Sequence, residues 1–160
     1  MKDQDKITSS LEVLKSSRER IQNINSWCQG EFAIDAKGER CSVFSPEATK
    51  WSALGSIWVS LRTCVPTTDV MFPQLWEEES RFQGVVYDFC SGFLDSQSLV
   101  LYKAFGIDKI EDSGLQIEAI NDIGPFMKPR EAVHKMILTV YDSCIKYCDD
   151  QLEMRKMLFK

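Results

Sequence analysis

Histidine is almost missing from this chain: His134 stands alone among 160 residues. Cys144 and Cys148, four apart on one helical face, could supply half of a metal site, but one imidazole is little to complete it with. No CxxC pair occurs among the six cysteines, Cys28, Cys41, Cys64, Cys90, Cys144 and Cys148. They sit mostly in apolar patterns, so they read as reduced, buried thiols, and neither metal nor cofactor is expected. Clustered basic residues are missing too. A net charge of −5, a pI near 5.0 and scattered Lys and Arg argue against the phosphate-binding face that nucleic acid requires, so no nucleic-acid partner is expected. Long apolar runs are also lacking. The first twenty residues carry no apolar h-region, and no stretch approaches the roughly 20 residues of a membrane helix, so a cytoplasmic protein without membrane contact is expected. With no internal repeat or low-complexity segment, residues 1–160 are read as a single domain.

What is present suits a packed core: 44% apolar residues, with four Trp and nine Phe. Ile7, Leu11, Leu14, Ile21 and Ile24 recur at three- and four-residue steps, which predicts an amphipathic helix from Lys6 to Ile24 that stops near Asn25-Ser26. Glu31 to Ile34, the turn chemistry of Asp35-Ala36-Lys37-Gly38 and Arg40 to Val43 predict a β-hairpin over about 31–43. Ser45-Pro46-Glu47 reads as the start of a second helix that carries Ala48, Trp51, Leu54, Gly55, Trp58 and Leu61 on one face. Cys64 to Pro73 reads as a connector. A third helix is expected from near Gln74, a shorter one over Ser98 to Phe105 and another over Leu115 to Ile120. A last helix, over about 129–157, places Val133, Ile137, Val140, Cys144, Tyr147, Met154 and Leu158 at nearly heptad spacing. That spacing suits an antiparallel helix pair and equally a dimer seam, leaving monomer and homodimer both open. The fold class expected is mainly α with a minor β part: a compact bundle of five or six helices, with one small hairpin between the first two.

The order Trp27-x-Gln29-Gly30, Asp35-x-x-Gly38, Ala48, Ala53-x-Gly55, Asn121-Asp122 and Val133 resembles an uncharacterised bacterial and phage family classed only as a domain of unknown function. The resemblance covers Ile24 to Ile57 and Leu115 to Tyr141, whereas Cys64 to Gly114 matches only as generic helix. Ser52 stands where that family tends to have Cys, Ser56 where it tends to have Ala, and Ile120 where a Trp often precedes the Asn-Asp pair. Cysteine chemistry at the second helix is therefore not implied. The resemblance implies no reaction, substrate or cofactor.

The candidate binding residues are Trp27, Gln29, Asp35, Asn121 and Asp122; no catalytic residue is assigned. Trp27 and Gly30 have a structural reading, an indole closing the core and a glycine that lets the backbone swing away. Gln29 can satisfy a buried loop or read a ligand. Asn121 and Asp122 are expected to hydrogen-bond the Trp27 to Gly30 segment across some ninety residues of sequence. Cys28, His134 and Asp122 have the composition of a thiol nucleophile, base and orienting carboxylate, but composition alone, and His134 reads as a surface or boundary residue. The function expected is that of a non-enzymatic protein that binds another protein, as a phage-related or accessory factor. The alternative is a small-molecule-binding domain or small enzyme with a pocket near Gln29, Asp35, Asn121 and Asp122.

Overall fold

A computed structural model describes residues 3–64, 117–118, 120–122 and 128–158. The elements run α1 (Asp3–Arg20), a single 3-10 turn (Ile24–Ser26), β1 (Ala33–Asp35), β2 (Ala48–Trp51), α2 (Ala53–Cys64) and α3 (Arg130–Leu158). The chain is thus mainly helical with a small antiparallel sheet between its first two helices. The bundle of five or six helices is corrected: among the described residues there are three, with helical residues also at Ile117, Glu118, Ile120 and Asn121. The connector over 64–73 lies outside the described residues beyond Cys64. The helices expected from Gln74 and over Ser98 to Phe105 lie outside them entirely.

Helix α1 packs against both α2 and α3. Arg18 donates through Nε and Nη2 to the two carboxylate oxygens of Asp142, and Lys15 lies 3.9 Å from Asp149, so α1 and α3 run antiparallel. Ser17 Oγ meets the carbonyl of Ser56 at 3.3 Å, while Cys64 Sγ lies 3.9 Å from the carbonyl of Glu12, which makes α1 and α2 antiparallel as well. Leu11, Val13, Leu14 and Ile21 from the α1 side meet Leu54, Ile57 and Leu61 of α2 and Val133, Ile137, Val140 and Cys144 of α3 in one apolar core. Each fully buried aliphatic side chain of this kind contributes about 1.5–3 kcal/mol.

One polar cluster crosses that core. Tyr141 Oη lies 2.8 Å from the Ala53 carbonyl and 3.0 Å from Ser56 Oγ, which itself lies 2.8 Å from the same carbonyl. Each hydroxyl has one proton, so one donates to the carbonyl while the other donates either to it or to its neighbour. Burial pushes the Tyr141 hydroxyl above its usual range, against the opposing effect of its hydrogen bond with Ser56.

Several element boundaries differ from those the sequence predicts. Helix α1 ends at Arg20, short of Ile24, because Asn23 caps a separate 3-10 turn by accepting the Asn25 N–H at 2.8 Å. The Asp35 turn forms as expected, with Asp35 Oδ1 accepting from the N–H groups of Lys37 and Glu39 at 2.8 Å and Gly38 at φ +85°. Its returning arm, however, makes only a bridge at Arg40 and a Cys41 N–H bond to the Ala33 carbonyl. The ladder of β1 is instead with β2, pairing Ala33 with Trp51 and Ile34 with Lys50. Ala48 and Trp51 are therefore strand residues. Ser45 turns the chain by accepting the Glu47 N–H, and the helix cap is Ser52, whose Oγ accepts the Gly55 N–H at 3.0 Å.

Candidate functional site

Trp27 and Cys28 extend the small sheet. Residue 27 bridges Trp51 in parallel, and the Cys28 N–H donates to the Trp51 carbonyl at 3.1 Å. The Ser52 N–H donates the other way, to Phe32, so alternation along the strand places the Trp27 segment and β1 on opposite edges of β2. This edge position delivers the segment to Asn121.

Asn121 is 1% exposed and fully engaged. Its Oδ1 accepts from Trp27 Nε1 at 2.7 Å and from the Ala53 N–H at 3.0 Å. Its Nδ2 donates to the Cys28 carbonyl at 3.1 Å and to Asp122 Oδ1 at 2.7 Å. The Asn121 carbonyl accepts from Gln29 Nε2 at 2.7 Å, and Asp122 Oδ1 also accepts the Gly30 N–H at 2.9 Å. Gly30 sits at φ +80°, which turns its N–H toward that carboxylate at no steric cost to a residue without Cβ. The contact expected between Trp27 to Gly30 and Asn121-Asp122 is therefore present. It also takes in the first N–H of α2, which the sequence did not point to.

Helix α3 closes the segment from the other side. Arg130 Nη2 donates to the carbonyls of Ile24 at 3.0 Å and Trp27 at 2.8 Å, and its guanidinium lies 5.3 Å from the Trp27 ring centroid. One turn later the His134 ring tilts 41° against the Trp27 indole at a centroid distance of 5.2 Å. His134 is only 7% exposed, so the surface or boundary reading is corrected. Its Nε2 lies 2.7 Å from the Ile21 carbonyl, an oxygen that can only accept, so that nitrogen carries the proton. Arg130 and His134 share a helix face four residues apart, a signal no different from that of any polar pair.

Of the five candidate residues, Trp27, Gln29, Asn121 and Asp122 come together. Asp35 does not join them; its carboxylate caps its own turn. The Cys28 thiol donates to the Glu31 carbonyl at 3.3 Å and is pushed up to about 12, first by burial and then by the Asp122 charge. The thiol is directed at the Glu31 carbonyl and His134 Nε2 at the Ile21 carbonyl, so Cys28 and His134 are not hydrogen-bonded to each other. Burial and the same Asp122 charge also raise Glu118 above the usual carboxylate range. Cys144 and Cys148 are buried in the core, and among the described residues no group of three or more His, Cys, Asp and Glu is placed to hold a metal.

No protein-family model, curated protein or solved structure matches this chain.

Proposed function

We propose that the protein is non-enzymatic and works by binding another protein, as a phage-related or accessory factor. The observation that carries this reading is the apolar end of α3. Met154, Met157 and Leu158 are 46%, 68% and 79% exposed within two turns of helix, whereas the core face of the same helix is buried from Val133 to Cys148. Apolar side chains grouped on an amphipathic helix are what a partner's groove or helix face takes up. The polar groups of the Asn121 cluster support the same reading from the other direction: they bond to one another and to backbone, so their chemistry is used in holding the fold.

The test is affinity capture from cells that express the protein, comparing the native chain with a Met157→Glu, Leu158→Glu double variant. A protein retained by the native chain and lost by the variant, with helicity unchanged by circular dichroism, supports the proposal. Equal retention by both chains overturns the role of this face. A substrate turned over by the purified protein would overturn the non-enzymatic reading itself.

A further inference from the structure

We draw no further inference here: the strongest candidate, the exposed apolar end of α3 formed by Met154, Met157 and Leu158, already carries the proposed function, and nothing in the structure shows what covers it.

Discussion

Asn121 illustrates how one side chain can substitute for secondary structure. Its amide has two acceptor positions and two donor hydrogens, and all four meet partners within 3.1 Å. Truncation to alanine strands the Trp27 indole N–H, the Ala53 N–H and the Cys28 carbonyl together. Each buried group left unpaired costs about 1–3 kcal/mol, so Asn121→Ala is expected to lower unfolding stability by about 3 kcal/mol or more in urea titration. A loss under about 1 kcal/mol would mean that water replaces the amide without penalty.

Cys28 makes a second prediction at this scale. Its ordinary value is 9.0 and its folded value is about 12. Below 9.0 both folded and unfolded chains hold the proton, and the contribution to stability is complete. Between those two values the unfolded thiol ionises while the folded one does not, so stability falls as pH rises. Tyr141, raised by burial from 10.0, adds to the same fall. Cys28→Ser should make the alkaline decline shallower without abolishing it, as read from urea midpoints on either side of pH 9.0. An unchanged slope would remove Cys28 as a contributor.

At the scale of elements, α2 shows a local preference overruled by packing. Ser45-Pro46-Glu47 is a sound helix start in isolation, and Ser52 is an equally ordinary cap. Pairing of residues 48–51 with β1 selects the second, because the strand needs those backbone groups for its ladder. Gly55 then sits against the opposing backbone, where a Cβ would lie 2.1 Å from the Phe32 carbonyl oxygen. Helix propensity alone favours Gly55→Ala by about 1 kcal/mol. The clash reverses that sign, since overpacking against backbone costs about 1–3 kcal/mol, and the variant should melt at lower temperature than the native chain. A higher melting temperature would show that β1 can shift away.

Tyr141→Phe tests the polar cluster that joins α2 to α3. The Ala53 carbonyl keeps Ser56 as a donor at 2.8 Å, so the loss should stay near 1 kcal/mol, well below that for Asn121→Ala.

At the scale of the molecule, the described residues pack α1 against α2 and α3, with the small sheet and Asn121 closing the end where Trp27, Arg130 and His134 meet. No described helix is long and apolar enough to cross a membrane. The exposed end of α3 lies away from that closed end, so Met157→Glu should leave stability within about 0.5 kcal/mol, as exposed substitutions do. If the face is an interface, the same change should weaken partner binding by about 2 kcal/mol, roughly 30-fold in Kd. Light scattering over a concentration series separates pairing with a second copy from binding of a different protein.

The presence, though not the bounds, of the three described helices, the Asp35 turn and the meeting of Trp27 to Gly30 with Asn121-Asp122 were legible in sequence, whereas the count of five or six helices was not. Apolar periodicity, turn chemistry and unusual polar side chains are local signals, and each reports a physical need that exists before the chain folds. Which strand pairs with β1, where α1 and α2 end, and that His134 lies under Trp27 were decided by tertiary structure. Those outcomes depend on competition between segments far apart in sequence, in which near-equal local preferences are settled by packing and by the requirement that buried polar groups find partners.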